Sequence, residues 1–301
     1  MSSPTAVPTA SAARRTDVPL DPDAAISIRG LVRRYGDSTA VDGLDLDIRR
    51  GEIFALLGPN GAGKTTTVEI CEGFRRRDAG EVRVLGTDPA TGGRRWKAEL
   101  GIVLQSGAGD SQLTCRELLR AQASYYADPR DPDEVLELVG LTEKAGVRGR
   151  TLSGGQRRRL DVALGIVGRP TLLFLDEPTT GFDPEARRQF WSLIRSLRDL
   201  GTTMLLTTHY LDEAEALADR VGVIARGRLA EVAVPAELGG RGSAPVVVSW
   251  TEDGVRRSAE TQTPTALVGE LAGRLGGEVP DLTVARPTLE DVYLQMIGDR
   301  A

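Results

Sequence analysis

The chain has 301 residues, 40% of them hydrophobic and 27% charged, a composition typical of a globular protein with one large domain and a small appendage. Its net charge of −5 argues against a nucleic-acid partner, because proteins that follow a phosphate backbone usually carry a basic excess. The two cysteines, Cys71 and Cys115, have no short metal-ligand spacing, which favours a reduced compartment with neither a zinc site nor a disulfide framework.

The amino-terminal segment is small, polar and proline-bearing, and it lacks the apolar stretch of a signal peptide. We expect residues 1–24 to form a disordered tail. No apolar run along the chain approaches the roughly 20 residues needed to span a bilayer. Any action on a membrane is therefore expected to go through another chain.

Short apolar runs alternate with helical patterns over residues 25–238, which predicts an α/β domain with a mostly parallel sheet flanked by helices. The predicted strands are bounded by glycine or polar residues and cover Ile53–Leu57, Gly101–Leu104, Leu172–Leu175, Met204–Thr207 and Val221–Ile224. Between about residues 106 and 170 the strand signal disappears, and a helical subdomain is predicted instead. Its helical patterns cover Leu118–Tyr126, Asp133–Val139 and Gln156–Val167.

The pattern changes again at a Gly/Arg/Ser stretch, Gly239–Ser243, which indicates a linker. A strand-like segment at Pro245–Trp250 follows, then a helical pattern at Pro264–Leu275 and a last helix near Leu289–Ile297. We therefore expect residues 239–301 to form a small α+β domain of their own.

A phosphate-binding loop is the strongest local signal. The pattern GxxxxGK[ST], placed between a predicted strand and a helix-compatible run, is fitted by Gly58, Pro59, Asn60, Gly61, Ala62, Gly63, Lys64 and Thr65. Its glycines let backbone N–H groups turn toward a phosphate, Lys64 supplies a point charge to the β- and γ-phosphates, and Thr65 offers a hydroxyl to Mg²⁺. Together with Thr66, these residues form the predicted ATP-binding loop.

Two adjacent carboxylates end the predicted strand Leu172–Leu175. Since side chains alternate along a strand, Asp176 and Glu177 need not share a role. Asp176 fits a position beside Mg²⁺, and Glu177 fits that of the general base for an attacking water. Acidic residues also follow buried strands without any catalytic role, so this pair alone does not distinguish a catalytic site from an ordinary strand end.

A third segment, Leu152-Ser153-Gly154-Gly155-Gln156, opens a predicted helix. Taken alone, it is an ordinary helix start with Ser153 as the N-cap. An exposed helix start also suits an anion, so context must decide between the two interpretations.

The order of these segments supplies the context. The phosphate loop, LSGGQ, the LLFLDE strand and a histidine after the next strand resemble the ATP-binding subunits of ABC transporters. The resemblance covers about residues 26–237, and LSGGQ followed by LDEP is among its most specific pairs. It implies the ABC ATPase fold of the P-loop NTPase class, with ATP and Mg²⁺ as cofactors.

The resemblance also implies roles for single residues. Tyr35 would stack on adenine, with an ordinary core or surface tyrosine as the alternative. Gln105 would reach Mg²⁺ and the attacking water and contact the membrane partner. His209, the only histidine in the chain, would contact the γ-phosphate. The predicted catalytic set is thus Glu177, His209, Lys64 and Gln105, and the predicted metal ligands are Thr65, Gln105 and Asp176.

A homodimer of nucleotide-binding subunits is implied as well. The two chains would meet head to tail, so that each ATP lies between one chain's phosphate loop and the other's LSGGQ segment. The groups closing on the γ-phosphate from the opposite chain would be Ser153 and Gly155, and Gly154 and Gln156 of the same segment would also belong to the nucleotide site. Asp183 would belong to the loop that crosses the interface, where Phe182 replaces the leucine expected from the family.

The carboxy-terminal segment indicates which kind of ABC protein the sequence resembles. Residues 286–294, RPTLEDVYL, resemble the RPSLEDVFL-type segment that ends the ATPase subunits of daunorubicin-resistance-type multidrug exporters. The plain alternative, a terminal helix with Thr288 as N-cap and Leu289, Val292 and Met296 on one face, is compatible with it. The resemblance implies export of a drug-like, lipid or polysaccharide substrate through a separate integral membrane permease, with this chain on the cytoplasmic face of the membrane.

Two other classes stay open. An ATPase of a membrane sensing complex would carry the same site. A soluble ABC protein acting on nucleic acid typically has two cassettes in one chain, a coiled-coil insertion or zinc-binding cysteines, whereas this sequence shows one phosphate loop, no heptad run and no cysteine cluster.

Overall fold

The structure, a computed structural model, describes residues 19–104 and 111–298. The predicted disordered tail lies outside the described residues up to residue 18. In chain order, the strands are β1 (Ile26–Tyr35), β2 (Ser38–Ile48), β3 (Ile53–Leu57), β4 (Ala79–Val84), β5 (Leu100–Val103), β6 (Leu172–Asp176), β7 (Thr203–Thr208), β8 (Arg220–Ala225), β9 (Arg228–Ala233), β10 (Val246–Glu252), β11 (Val255–Thr261) and β12 (Thr283–Ala285). The α-helices are α1 (Lys64–Cys71), α2 (Arg94–Ala98), α3 (Cys115–Ala123), α4 (Pro132–Leu138), α5 (Gly154–Ile166), α6 (Pro184–Asp199), α7 (Leu211–Leu217), α8 (Pro264–Leu275) and α9 (Leu289–Gly298).

A six-stranded sheet in the order β5-β6-β7-β3-β8-β9 forms the centre of the fold. Its neighbouring strands are parallel except for the antiparallel pair β8–β9. The α/β class with a mostly parallel sheet is therefore confirmed. All five predicted strands are present, each with ends that differ by no more than one residue from the prediction.

Side-chain alternation divides the central sheet between two cores. On β3, Ile53, Ala55 and Leu57 face a core shared with the helices, whereas Phe54 and Leu56 face the opposite core. Both faces are buried, which is why such strands appear in the sequence as continuous apolar runs.

A second, antiparallel sheet in the order β2-β1-β4 covers the face of the central sheet that carries Phe54. The sequence analysis did not predict it, because its strands mix apolar with charged residues. Arg29 and Arg33 on β1, for example, form ion pairs with Asp47 and Asp78.

The helical subdomain contains α3, α4 and α5, with boundaries set by capping residues. Thr114 and Glu117 form a capping box at the start of α3, so this helix begins three residues before the predicted Leu118. Ser153 and Gln156 form another, and α5 therefore begins at Gly154.

The carboxy-terminal region consists of two parts that pack differently. The sheet β11-β10-β12 and helix α8 enclose a small core of their own, formed by Val246, Val248, Trp250, Leu271 and Val279. Helix α9 instead returns to the main core, where Leu289 is buried together with Leu238. Thr288 caps this helix by accepting the amide proton of Asp291, as predicted. A division of the chain at residue 239 stays a prediction, but it would separate α9 from the core on which α9 packs.

Candidate active site

Three predicted site segments leave the same edge of the central sheet. Strand β3 is parallel to β7 with Leu57 opposite Thr208, and β6 is parallel to β7 with Asp176 opposite Thr207. Because the carboxyl ends of parallel strands share one edge, the phosphate loop, the two carboxylates and His209 come together there.

The phosphate loop packs so closely on its neighbours that two of its glycines cannot be replaced without a shift. A Cβ atom at Gly58 would lie 2.4 Å from the carbonyl oxygen of Ile224. At Gly63 it would lie 2.4 Å from the carbonyl oxygen of Ala40, and φ there is +106°, in the left-handed region. Gly61 has φ +80° with open space around it, so its glycine is required by conformation alone.

Lys64 begins α1 with its ammonium folded back into the loop. Its Nζ donates to the carbonyl oxygens of Gly58 at 2.7 Å and Pro59 at 3.2 Å. Burial lowers the pKa of Lys64, and the nearby charges of Glu177 and Asp176 oppose that shift. Since both hydrogen-bond partners are neutral, a bound anionic phosphate would stabilise the ammonium.

The other loop residues are accessible to a ligand. Pro59, Asn60, Gly61 and Thr65 are exposed, Thr66 is half-buried, and Ala62 is buried. An accessible Thr65 hydroxyl in the first turn of α1 meets the requirement for its predicted place beside a metal ion.

Glu177 has an unusual backbone conformation, with φ +43°. Its N–H donates to the carbonyl oxygen of Thr207 at 3.1 Å and to the Thr207 hydroxyl at 3.2 Å. Its Oε1 lies 3.3 Å from Nδ1 of His209, a half-exposed residue. A non-glycine residue held in this region costs roughly 1–3 kcal/mol, which is typical of functional sites.

Asp176 accepts a short hydrogen bond at Oδ1 from the Thr207 hydroxyl. Behind it lies Glu72, the residue that caps the end of α1 and is itself buried. Burial, together with the negative charges of Asp176 and Glu69, raises the pKa of Glu72 to about 7. This third carboxyl group near the site was not predicted from the sequence.

The LSGGQ segment lies at the surface. Ser153 and Gly154 are exposed, while Gly155 and Gln156 are half-buried. Within the described chain, no hydrogen bond joins residues 153–156 to the phosphate loop. Its side-chain hydrogen bonds instead join Ser153 and Gln156 to each other.

Asp183 caps α6, accepting N–H bonds from Glu185 at 2.9 Å and Ala186 at 2.8 Å. The neighbouring Phe182 packs edge-on against buried Phe190, with ring centroids 5.7 Å apart. An apolar side chain is therefore needed at position 182, and phenylalanine meets that need as leucine would.

Arg158 on α5 is a site residue that the sequence analysis missed. It is buried, and its guanidinium donates to the carbonyl oxygens of Pro178 at 3.0 Å and Asp176 at 2.8 Å and also to that of Leu104. The available signal was an arginine on the apolar face of a helix, one turn before buried Val162. The Arg158 side chain thus connects the helix that begins at LSGGQ to the ends of β6 and β5 through hydrogen bonds.

Tyr35 is 39% exposed, so it is not a core tyrosine. The guanidinium carbons of Arg33 and Arg75 lie 4.7 and 5.6 Å from its ring centroid. Burial would raise the pKa of Tyr35, but hydrogen bonding with Thr66 and Arg33 and the positive charges of both arginines outweigh it, and the pKa is lowered. The contact with Thr66 places this aromatic ring beside the phosphate loop. Stacking of adenine on Tyr35 stays a prediction.

Gln105 lies outside the described residues, so its predicted roles at Mg²⁺, the attacking water and the membrane partner stay predictions. Among the described residues, no group of three or more His, Cys, Asp and Glu side chains could hold a metal ion. This fits Mg²⁺ bound beside a nucleotide, which takes one or two protein oxygens and completes its shell with phosphate and water. Asp176 and Thr65 as ligands of such an ion stay a prediction.

A glycine-rich loop between a parallel strand and a helix, two carboxylates and a histidine at the same sheet edge, and a helical subdomain opening with LSGGQ define an ATPase of the ABC class. Comparison with known proteins agrees: the ABC transporter family model matches residues 41–180. The daunorubicin resistance ATP-binding protein DrrA3 of Streptomyces coeruleorubidus is 37% identical, over 92% of this chain and 97% of that protein. The Nod factor export ATP-binding protein I of Ralstonia nicotianae is 43% identical, over 71% of this chain and 68% of that one. The chain therefore belongs to the family of ABC transporter ATP-binding proteins.

Solved structures share the fold. A cbiO1 protein from Clostridium perfringens, part of the ABC transporter complex cbiONQ, has a TM-score of 0.65 and 25% identity over 71% of this chain and 90% of that one. A dimeric ATP-binding cassette in a post-hydrolysis state with ADP and Pi has a TM-score of 0.62 at 21% identity, over 69% of this chain and 98% of that one. The predicted ABC ATPase fold and ATPase activity are confirmed. Within the described residues, no helix has the length and apolar character to cross a membrane.

Proposed function

We propose that this ATPase powers an exporter, moving a drug-like, lipid or polysaccharide substrate through a separate integral membrane permease. The supporting observation is the match to a drug-resistance protein over 92% of the chain, which includes the carboxy-terminal region as well as the cassette. Relatives named for Nod factor export support the same direction of transport. The chain would act as a peripheral protein at the cytoplasmic face of the membrane.

In the proposed mechanism, Glu177 takes a proton from the attacking water. Its contact with His209 orients the carboxylate, and His209 itself reaches toward the γ-phosphate. Lys64 stabilises the negative charge that develops on the transferred phosphoryl group. The closely packed glycines hold these groups in place before ATP arrives, so little reorganisation is needed at the moment of reaction.

Mg²⁺ would be held by Asp176 and Thr65, with Gln105 as the third predicted ligand. When bound, it would neutralise charge on the β- and γ-phosphates. The short bond from Thr207 to one oxygen of Asp176 leaves the second oxygen of that carboxylate for the ion.

The active form is proposed to be a head-to-tail homodimer. The exposed start of α5 supports this proposal, because the first N–H groups of a helix suit a phosphate, and among the described residues no hydrogen bond joins residues 153–156 to their own phosphate loop. ATP would then hold the closed dimer together, and hydrolysis would release it. A permease with two conformations follows this cycle if they differ in affinity for the closed form.

The test is transport in inverted membrane vesicles that contain this chain together with a co-expressed candidate permease. We expect ATP-dependent accumulation of a fluorescent anthracycline, a labelled lipid or a labelled oligosaccharide, and no accumulation with Glu177→Gln. If none of the three is moved although the vesicles hydrolyse ATP, the exporter proposal fails. A membrane sensing complex would then be favoured.

A further inference from the structure

Thr207 lies at the carboxyl end of β7 and is completely buried. In the sheet it is paired with Asp176, the last residue of β6. Its hydroxyl donates to Oδ1 of Asp176 and accepts the N–H of Glu177 at 3.2 Å. A single hydroxyl therefore contacts both of the neighbouring carboxylate residues.

The direction of each bond is fixed by the chemistry of a hydroxyl group. A threonine hydroxyl has one proton to donate and lone pairs to accept with. A backbone N–H can only donate and an ionised carboxylate can only accept, so the proton must point to Asp176. The bond fixes Oδ1 and with it the orientation of the carboxylate, whose remaining lone pairs would be available to a metal ion.

The same hydroxyl supports the backbone of Glu177. The N–H of Glu177 is shared between the carbonyl oxygen of Thr207 at 3.1 Å and its hydroxyl oxygen. This shared bond helps to hold Glu177 at φ +43°, a conformation that an isolated glutamate rarely adopts. In this conformation Oε1 of Glu177 lies 3.3 Å from Nδ1 of His209.

We propose that Thr207 is a positioning residue for ATP hydrolysis, whose hydroxyl orients Asp176 toward Mg²⁺ and holds Glu177 in its strained conformation. This inference rests on the proposed roles of Asp176 and Glu177. A purely structural threonine is the competing interpretation, since β-branched residues favour strands and buried hydroxyls must be hydrogen-bonded.

Thr207→Val tests the proposal because valine keeps the shape and removes the hydroxyl. Thr203→Val is the matched control: Thr203 is a buried threonine on the same strand, and its hydroxyl accepts from the N–H of Gly51 at 2.9 Å, at the opposite end of β7. Thr207→Ser keeps the hydroxyl and should rescue the function. The measurements are kcat, the Mg²⁺ concentration for half-maximal activity, ATP affinity without Mg²⁺, and Tm.

We expect Thr207→Val to lower kcat about 10- to 100-fold, the effect of losing one hydrogen bond to a charged group, and to raise the Mg²⁺ requirement. ATP affinity without Mg²⁺ should stay within about twofold, since the phosphate loop is untouched. Thr207→Ser and Thr203→Val should keep the kcat and Mg²⁺ requirement of the unmodified protein, although Thr203→Val lowers Tm.

Unchanged kcat and Mg²⁺ requirement in Thr207→Val would overturn the proposal, and so would an equal loss in Thr203→Val. If Thr207→Val does not fold, Thr207→Ser is compared with Thr207→Cys, which replaces the hydroxyl by a weak donor, and equal activity of the two overturns the proposal. Asp176→Asn and Glu177→Gln are measured alongside. If either keeps normal turnover, the proposed role of that carboxylate fails, which is distinct from failure of Thr207 alone.

Discussion

Nδ1 of His209 lies 3.3 Å from Oε1 of Glu177, and these two side chains reach the site from different strands, β7 and β6. This distance allows the imidazole to fix the carboxylate while its other nitrogen remains available for phosphate. Glu177 is 16% exposed and His209 is 40% exposed, so the carboxylate is the more enclosed of the pair. A water molecule beside Glu177 would therefore lie in a partly desolvated place.

Replacing Glu177 with glutamine should abolish turnover while ATP binding persists. The amide keeps the shape of the side chain but loses the basic oxygen, and loss of one general base costs about 10²- to 10⁴-fold in kcat. Phosphate release and nucleotide binding measure the two effects, and an ATP-stabilised dimer should accumulate on a sizing column. Glu185→Gln, at an exposed glutamate in the first turn of α6, is the control. Phosphate release by Glu177→Gln near the normal rate would show that Glu177 is not the general base.

Replacing Arg158 with methionine should lower the rate of ATP hydrolysis while leaving ATP binding nearly unchanged. Methionine fills much of the buried space but leaves three backbone carbonyl groups without their donor. We expect kcat to fall about 10-fold or more, from misplacement of Asp176 and of the start of α5, with nearly unchanged ATP affinity. Arg159→Met is the control, since Arg159 on the same helix donates to Gln189 and Val139 instead. Equal losses in both variants would contradict a specific role.

Glu72 should make the unfolding free energy depend on pH. Its pKa is about 7 in the folded chain against an ordinary value of 4.5, so the folded state retains a proton that the unfolded state has lost between these values. Stability from this group is therefore present below about pH 4.5 and is lost as the pH rises to about 7. Glutamine cannot ionise, so Glu72→Gln does not lose stability in this way. The difference in unfolding free energy between Glu72→Gln and the unmodified protein should therefore shift in favour of the variant by roughly 2–3 kcal/mol between pH 4.5 and pH 8. Urea unfolding without nucleotide measures the difference, and a pH-independent gap would contradict it.

The sequence predicted five of the six strands of the central sheet because each of those five is a short apolar run. It missed β9, where Arg228 and Glu231 interrupt the apolar pattern. It did not predict β1, β2 and β4, where charged residues paired across the strands interrupt the apolar pattern. Site segments were predictable because each is a local motif. Contacts such as those of Thr207 and Arg158 were not predictable, since they join residues far apart in sequence, and most of them run through backbone groups, which carry no sequence signal.

The carboxy-terminal region should tolerate removal of its small sheet but not of its last helix. The guanidinium of Arg286 donates to the carbonyl oxygen of Gly242 at 2.8 Å, so residues 242 and 286 are close in space. Replacing residues 244–285 by a short glycine linker should leave the ATPase core folded with normal nucleotide binding. Truncation after residue 238 also removes α9, and it should lower the unfolding free energy by roughly 2–5 kcal/mol because buried Leu238 loses its partner Leu289.

Both variants are compared by Tm and by nucleotide binding. Equal stability of the truncated chain and the unmodified protein would show that residues 239–301 form an independent domain, as the sequence predicts. An insoluble linker variant would show instead that the small sheet is required by the core.

The proposed sharing of active sites between two chains can be tested by mixing inactive variants. Lys64→Ala damages the phosphate-loop half of a site, and Ser153→Arg damages the LSGGQ half by placing bulk and charge at the start of α5. Each homodimer then has two damaged sites. In a mixed dimer with shared sites, one site collects both lesions and the other none, so mixing should restore part of the ATPase activity.

If each site lay within a single chain, every site in the mixture would still carry a lesion and no activity would return. Since coupled sites can require both members for turnover, ATP-dependent dimer closure is measured beside hydrolysis, by cross-linking or on a sizing column. Mixed dimers are verified with two different affinity tags. Recovery of neither closure nor hydrolysis in verified mixed dimers would contradict the head-to-tail arrangement, because one site in each of them would then contain an intact Lys64 facing an intact Ser153 and still fail to act.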